Sequence, residues 1–348
     1  MKEREAFLDK MRVAATCAVV LLHTVTGVMD TTDMGPYPAE QKVFLAAMDL
    51  ICWCVPVFLM ISGYLFLAPE KNIRFSDMLR KHCRRMMLAL FLFGVPYACL
   101  EQMMTERCFR PGMAWEAVLM VLRGESWSHM WYLYLILVLY LVTPPLKWAL
   151  ARLPMGAVYG LEAALASAFS LLPYLSRLFG RADIAALPDW GIYFFYYICG
   201  YLFAVHGRCL RKGPWPGRIL AGLAALLAAG MALSRTAGGF AMRIAYNYPF
   251  IVLLSLLLFG WGVSTEQKPR KGQRPGGLSF WERAAELSFS VYLIHPVFLN
   301  IAYKLFHVTP LSFPIGVSLP VFFLGTLLLS AAGAWVLRKI APLRKYVL

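Results

Sequence analysis

The first apolar segment of the chain carries an arginine and a histidine that fall on one helix face. Arg12 and His23 are 11 residues apart. At about 100° and 1.5 Å per residue, an α-helix places them within about 20° of each other and about 16 Å apart along its axis. Guanidinium groups bind phosphates, and imidazoles exchange protons near neutral pH. A coenzyme A thioester would suit this pair, because its phosphates would stay at the membrane surface while its pantetheine arm carries the thioester inward.

The same residues also have a purely structural interpretation. Arg12 would then anchor the helix at the membrane surface, and His23 would bond a neighbouring carbonyl group. Asp9 lies three residues before Arg12, which predicts an ion pair that orients the guanidinium. The spacing leaves both interpretations of Arg12 and His23 open.

A cluster of basic residues precedes the third apolar segment. Arg80 and Arg84 are four residues apart and share a helix face, while Arg85 points to the side. Arginines on one face bind phosphate groups in a bidentate manner. A juxtamembrane basic run is also a common topology signal or contact for anionic lipids. The cluster therefore predicts either a donor-binding face or a membrane anchor.

A proline directly follows His295 in the ninth apolar segment. Because proline lacks a backbone N–H, it leaves the carbonyl of Tyr292, four residues back, without its helical partner and kinks the helix. A polar side chain at such a break commonly lines a cavity. The alternative is that His295 itself satisfies the broken hydrogen-bond ladder.

Small and acidic residues interrupt two other apolar segments. Ser62 and Gly63, followed by Tyr64, predict either a substrate entrance or the close approach of another helix. Glu162 and Asp49 are isolated acids in apolar surroundings, for which an internal arginine partner is the simplest expectation. A catalytic role for either acid is the alternative.

The composition requires a membrane rather than an aqueous environment. Of the 348 residues, 60% are hydrophobic and 15% are charged, the mean hydropathy is +0.61, and soluble domains are only about 45–50% apolar. Basic cytoplasmic loops explain the net charge of +15, so no nucleic-acid partner is expected. The eight cysteines lie mostly in apolar stretches without metal-site spacing. We expect reduced packing cysteines and no metal site.

Ten windows of about 20 mostly apolar residues predict an all-α, polytopic membrane protein with ten transmembrane helices. The windows cover approximately residues 8–29, 43–67, 86–104, 129–149, 156–176, 190–206, 217–234, 246–264, 287–306 and 316–337. The termini and even-numbered loops carry 25 Lys and Arg residues against 8 on the opposite side, which predicts that both termini are cytoplasmic. The loops are too short to be domains, so residues 1–348 are expected to form a single membrane domain.

Several segments together resemble the acyltransferase-3 family of bacterial integral-membrane acyltransferases. The arginine and histidine of the first helix are the most specific of these features. The matching segments follow the order of the family and are residues 8–15 with 19–23, 55–64, 129–134 with 140–144, 200–201, 248–249 and 288–296. Residues 129–134 are similar to the branch that contains the enterobacterial common antigen acetyltransferase and the polysaccharide intercellular adhesin modification protein.

The resemblance implies an activity and roles for the candidate residues. It implies transfer of an acyl group, often acetyl, from cytoplasmic acyl-coenzyme A to a hydroxyl of a cell-envelope or lipid-linked glycan at the bacterial cytoplasmic membrane. The donor would be a substrate, with no permanently bound cofactor. Catalysis is assigned to Arg12 and His23. Donor binding is assigned to Arg80, Arg84, Arg85, Ser62 and Gly63, and supporting roles to Asp9, Tyr64, His295 and Glu162.

A transporter or exporter of a glycan or a small amino acid is the alternative function. Buried arginine and histidine pairs suit a transport pathway as well as catalysis. Many secondary transporters are built from inverted repeats, and no internal repeat is visible in this sequence. Both alternatives place polar side chains in a cavity within the membrane.

Overall fold

The protein consists almost entirely of α-helices. The structure is a computed structural model that describes residues 5–71, 73–106, 108, 110–180, 190–211, 214–236, 245–266 and 279–348. It is 84% helical, and no strand occurs in these residues. The predicted all-α class is confirmed.

The helices are numbered here in chain order. They are α1 (Ala6–Thr31), α2 (Pro38–Ile51), α3 (Cys54–Phe66), α4 (Phe75–Glu106), α5 (Met113–Arg123), α6 (Ser128–Leu150), α7 (Met155–Leu178), α8 (Gly191–Leu210), α9 (Pro214–Thr236), α10 (Pro249–Ser264), α11 (Phe280–Leu305), α12 (Ile315–Leu337) and α13 (Ala341–Tyr346). Three of them contain π-helical stretches, at Met78–Cys83, Ser167–Leu171 and Ile301–Leu305. The first turn of α6, Ser128–Met130, is a 3-10 helix.

Eight helical segments of the described chain are long and apolar enough to cross a membrane. They are α1, the α2–α3 segment, α4, α6, α7, most of α9, α11 and α12. The other two predicted spans correspond to α8, which contains a run of tyrosines and phenylalanines, and to α10. The 16 residues of α10 extend about 24 Å, against a hydrocarbon core of about 30 Å. The protein is a multi-pass membrane protein, and the count of ten and the cytoplasmic termini stay predictions.

The observed helix boundaries differ in detail from the predicted windows. The window at 43–67 is divided by a turn at Cys52 and Trp53, which separates α2 from α3. Pro56 suits the first turn of α3, where its missing N–H removes no intrahelical hydrogen bond. The window at 86–104 is too short, because α4 begins at Phe75 and includes the whole basic cluster.

The chain divides into two compact units, each made of two stretches of sequence. Unit 1 comprises Met1–Lys71 and Ala149–Ser288, and unit 2 comprises Asn72–Trp148 and Phe289–Leu348. The candidate residues are shared between them, because α1, α3, α7 and α8 belong to unit 1 while α4 and most of α6 and α11 belong to unit 2. The single domain over residues 1–348 stays a prediction.

In unit 1, α3 and α8 approach each other through a reciprocal pair of glycines. A Cβ atom on Gly63 would overlap the carbonyl oxygen of Tyr197 in α8. A Cβ atom on Gly200 would overlap the carbonyl oxygen of Met60 and lie 2.7 Å from the backbone nitrogen of Tyr64 in α3. Each helix therefore carries a glycine where the backbone of the other passes, as small residues allow in membrane proteins.

An aromatic cluster joins α1, α3, α8 and α10 in unit 1. The ring of Phe7 in α1 lies 5.4 Å from that of Tyr64 in α3 and 6.0 Å from that of Phe259 in α10. Phe203 of α8 adds a fourth ring 5.1 Å from Phe259. Edge contacts of this kind stabilise a buried core beyond the burial of the ring surface. The cluster fixes the first turn of α1, and Arg12 lies in the second turn.

In unit 2, the short helix α5 packs against α4. Gly94 of α4 faces Val121 of α5, and a Cβ on that glycine would lie 3.1 Å from the valine side chain. The hydroxyl of Ser126 donates to the carbonyl oxygen of Gly94 at 3.0 Å. The hydroxyl of Tyr134 in α6 donates to the carbonyl oxygen of Val121. These bonds connect α4 and α5 to the loop before α6 and to the second turn of α6.

Candidate functional site

The arginine and histidine of α1 lie on one uninterrupted helix. α1 runs from Ala6 to Thr31 without a proline or a π turn, so the helical spacing of Arg12 and His23 applies to the folded chain. The Nη1 atom of Arg12 lies 3.3 Å from Oδ1 of Asp9, which is the predicted ion pair. The Asp9 side chain is 3% exposed and that of Arg12 29% exposed. A buried carboxylate therefore orients a guanidinium that still reaches the surface.

The first turn of α1 is capped by an acid from a distant part of the chain. The carboxylate of Glu266, just after α10, accepts the backbone N–H of Ala6 at 3.1 Å and that of Phe7 at 2.8 Å. These two groups have no intrahelical acceptor, and the positive end of the helix dipole favours a carboxylate there. The cap holds the end of the helix from which Arg12 projects.

A second polar link joins α1 to α3 and α8. Nη2 of Arg211, at the end of α8, donates to the hydroxyl of Tyr64 at 3.0 Å and lies 3.6 Å from the carboxylate of Glu5. Tyr64 therefore supports the position of α1 through Arg211. Sequence reasoning counted Arg211 only as a loop charge and did not select Glu5 or Glu266, because their partners are distant in sequence and have no common spacing.

The serine and glycine of α3 have different surroundings. The hydroxyl of Ser62 donates to the carbonyl of Phe58 in the same helix at 3.0 Å. Gly63 is buried against the backbone of Tyr197, so the contact with α8 agrees with the interpretation as a close helix approach. The assignment of Ser62 and Gly63 to donor binding stays a prediction.

The basic cluster lies in unit 2, on the first turns of α4. Arg80 belongs to the π-helical stretch, and Arg84 begins the regular α-helix after it. Both side chains are exposed. The guanidinium of Arg84 lies 5.6 Å from the ring of Tyr346, a cation–π contact. Single π turns inside α-helices are frequent at functional sites, and the assignment of Arg80 and Arg84 to donor binding stays a prediction.

Arg85 contacts the last residues of the chain. Its Nε donates to the carbonyl of Val347 at 2.8 Å and its Nη2 to that of Leu348 at 2.9 Å. Its guanidinium also lies 5.1 Å from the ring of Phe289. These contacts stabilise unit 2, and the assignment of Arg85 to donor binding stays a prediction.

Glu162 has a thiol partner instead of the expected arginine. The Sγ atom of Cys199 in α8 donates to Oε2 of Glu162 in α7 at 3.0 Å. Both side chains are buried, and among the described residues no hydrogen-bond partner faces Oε1. The arginine was expected because charge pairing is the common solution in a membrane. Asp49 is also buried, at 1% exposure.

His295 lies in α11 of unit 2 and is fully buried. Its Nδ1 is 2.8 Å from the carbonyl oxygen of Tyr292, which is the group that Pro296 was predicted to release. A second carbonyl, that of Val291, lies 3.2 Å from the same nitrogen. The histidine therefore satisfies the broken ladder with one side of its ring. His129, which sequence reasoning did not select, has its ring 5.7 Å from that of His295.

The described residues hold no group of three or more His, Cys, Asp or Glu side chains that could bind a metal ion.

The comparison with known families gives one match, to the acyltransferase-3 family, described as an acyltransferase domain, over residues 5–339. The chain belongs to the acyltransferase-3 family. The match begins just before α1 and ends after α12, so it includes nearly all of both units. No curated protein and no solved structure matches the chain. As a member of the acyltransferase-3 family, the protein is a membrane acyltransferase.

Proposed function

We propose that this acyltransferase moves an acyl group, with acetyl as the first candidate, from cytoplasmic acyl-coenzyme A to a hydroxyl of a cell-envelope or lipid-linked glycan. The observation that carries the proposal is the pair on α1, an oriented Arg12 and a His23 about 16 Å further along the same helix face. The bacterial cytoplasmic membrane is the proposed location. The donor acts as a substrate, and the protein binds no permanent cofactor.

The surroundings of Arg12 suit the charged end of the donor. Asp9 is nearly fully buried and holds the guanidinium from one side, while the guanidinium is 29% exposed. A pre-oriented guanidinium loses little side-chain entropy when it binds a phosphate. In unit 2, the exposed guanidinium groups of Arg80 and Arg84 are proposed phosphate ligands in their own right.

His23 is the proposed reacting group, and two routes are open to it. As a general base, its imidazole takes the proton of the acceptor hydroxyl while the hydroxyl oxygen attacks the thioester carbonyl. The carbon–sulfur bond then breaks, and the proton passes to the coenzyme A thiolate. As a nucleophile, the imidazole first takes the acyl group from sulfur and then passes it to the hydroxyl.

The test is thiol release from acetyl-coenzyme A by the purified protein in lipid. The acyltransferase reaction produces free coenzyme A, and labelled acetyl should then appear in the glycan fraction of membranes that contain the protein. A transporter would instead accumulate its substrate in proteoliposomes without releasing coenzyme A. Accumulation with no thiol release, for acetyl and longer acyl donors, would contradict the proposal.

Replacing Arg12 with alanine is expected to raise the KM for acetyl-coenzyme A by about 10- to 100-fold, because a hydrogen bond to a charged group contributes about 1.5–3 kcal/mol. The turnover number should change less. Asp9→Asn should raise KM by a smaller factor, since the guanidinium stays but loses its buried partner. Initial rates of thiol release across donor concentrations give KM and the turnover number of each variant.

Lys10→Ala is the matched control for Arg12→Ala. It removes a positive charge from the same turn of α1, but the Lys10 side chain is exposed and its position is on another face of the helix. Its KM should stay within about twofold of the wild-type value. An unchanged KM in Arg12→Ala would remove Arg12 from the donor site.

A further inference from the structure

Arg211 lies directly after α8 and contacts the beginning of α1. Its Nη2 atom donates to the hydroxyl of Tyr64 at 3.0 Å and lies 3.6 Å from Oε1 of Glu5. Glu5 is the N-cap residue of α1. All three residues belong to unit 1. The contacts therefore place the guanidinium of Arg211 beside the first turn of α1.

The cationic and imidazole groups of unit 1 follow one another along α1. Glu5 precedes Arg12 by seven residues, which corresponds to about two helical turns and about 10 Å along the axis. His23 lies about 16 Å beyond Arg12 on the same face. The guanidinium held at Glu5 therefore comes first, that of Arg12 second and the imidazole of His23 third.

The guanidinium of Arg211 has more donors than partners. A guanidinium carries five N–H donors. Among the described residues, the one hydrogen bond of this side chain goes to Tyr64, and the buried Nε has no hydrogen-bond partner. The 3.6 Å separation from Glu5 is an ion pair but is too long for a hydrogen bond. Arg211 therefore retains donors for an anion.

The Arg211 side chain is held in place and still reaches the surface. Its exposed fraction is 27%, close to the 29% of Arg12. The hydroxyl of Tyr64 holds the guanidinium from the side of α3. A guanidinium that is already oriented loses less side-chain entropy when it binds a phosphate. An anion can therefore reach Arg211 from the protein surface.

Coenzyme A carries its functional groups in a matching order. A 3′-phosphate on the ribose is followed by a diphosphate, then by the pantetheine arm, with the thioester at the far end. A phosphate monoester carries a charge of about −1.5 to −2 at pH 7 and accepts bidentate hydrogen bonds from arginine. It therefore competes well with the single charge of Glu5 for the guanidinium of Arg211.

We propose that Arg211 binds the 3′-phosphate of the acyl-coenzyme A donor, while Arg12 binds the diphosphate. The inference rests on the proposed function and deepens it, because it makes unit 1 selective for donors that carry a 3′-phosphate. The donor then extends along α1, with its thioester directed toward His23. Acyl thioesters of 3′-dephospho-coenzyme A are the poorer substrate class.

The first test compares acetyl-coenzyme A with acetyl-3′-dephospho-coenzyme A, which lacks only this phosphate. In the wild-type protein in lipid, loss of the phosphate should raise KM at least about tenfold, because a hydrogen bond to a charged group is lost. The turnover number should change less, since the pantetheine arm and the thioester are the same. Equal KM values for the two donors would overturn the inference.

Arg211→Gln removes the charge and keeps a polar amide at the end of α8. It should raise KM for acetyl-coenzyme A about tenfold and leave KM for the dephospho donor within about threefold of wild type. The ratio of the two KM values should therefore fall to about one. A purely structural Arg211 would raise both KM values by the same factor and keep the wild-type ratio, which would overturn the inference. KM is independent of the fraction of folded protein.

Arg211→Lys covers the case in which Arg211→Gln does not fold. Lysine keeps the positive charge but lacks the planar fork, so the ratio of KM values should fall at least about threefold. The wild-type ratio in Arg211→Lys would overturn the inference.

Arg218→Gln is the matched control in unit 1. Arg218 is exposed near the start of α9, and its guanidinium lies 5.6 Å from the ring of Trp215. Both KM values should stay within about twofold of wild type, because an exposed charge contributes little. Absence of thiol release with every acyl donor would contradict the proposed function and this inference together. Thiol release with equal KM values for both donors would overturn this inference alone.

Discussion

Thiol release from acetyl-coenzyme A is expected to fall by at least about 100-fold when His23 is replaced by alanine. A positioned general base accelerates proton transfer by about 10²- to 10⁴-fold, and a nucleophile that carries the acyl group is required for every turnover. Both routes therefore predict a large loss. The melting temperature should change little, because α1 is held by the cap from Glu266 and by the aromatic cluster around Phe7.

An initial burst of thiol release from acetyl-coenzyme A would distinguish the two proposed roles of His23 in the wild-type protein. A covalent acyl-histidine predicts a rapid release of up to one thiol per protein and a labelled histidine peptide after quenching. A general base predicts neither of them. His23→Ala should lack both the burst and the steady rate.

His206→Ala is the control for His23→Ala. His206 is an exposed histidine of unit 1 whose Nε2 lies 2.8 Å from the hydroxyl of Tyr159. Its removal should leave thiol release within about twofold of the wild-type rate. Full activity in folded His23→Ala would exclude both chemical roles.

The parts of the candidate site that sequence predicted correctly are those that depend on one helix. The Asp9–Arg12 ion pair lies within one turn of α1, where spacing alone determines which side chains meet. The release of the Tyr292 carbonyl follows from proline chemistry at a single position, and the structure shows Nδ1 of His295 bonded to that carbonyl. Local rules are sufficient for these contacts.

The contacts that sequence reasoning missed join helices that are distant in the chain. Arg211 bonds Tyr64 across two helices, and Cys199 replaces the arginine expected beside Glu162. Helical periodicity shows that such a residue is buried and says nothing about the opposite helix. A partial signal was present for Glu101 and Lys304, because two opposite charges inside predicted spans require partners.

The π-helical stretch in α4 could also not be predicted from the sequence. The sequence of Met78–Cys83 has no proline or glycine to indicate a change of helix type. Within this stretch Met78 and Cys83 are buried while Arg80 is exposed. Patterns of hydrophobic residues detect the existence of a helix more reliably than its local geometry.

Replacing Gly63 with alanine is expected to destabilise the protein by about 1–3 kcal/mol or more, because the added Cβ would overlap a backbone carbonyl that cannot rotate away. The helices α3 and α8 would have to separate, although alanine is the better helix former by about 1 kcal/mol. Unfolding in lipid–detergent micelles, followed by melting temperature, measures the loss. Thiol release should decrease in parallel with the folded fraction.

Gly222→Ala and Gly230→Ala are the matched controls, because nothing lies within 4 Å of a Cβ at either position in α9. They should be neutral or stabilising by up to about 1 kcal/mol. Ser62→Ala removes only a hydroxyl bonded within its own helix, so its stability should stay close to that of the wild type. If Gly63→Ala folds normally but loses affinity for acetyl-coenzyme A, the glycine belongs to the donor site and the helix contact does not explain its presence. If stability and activity fall together while Ser62→Ala remains active, close packing of α3 and α8 is the reason that this position requires glycine.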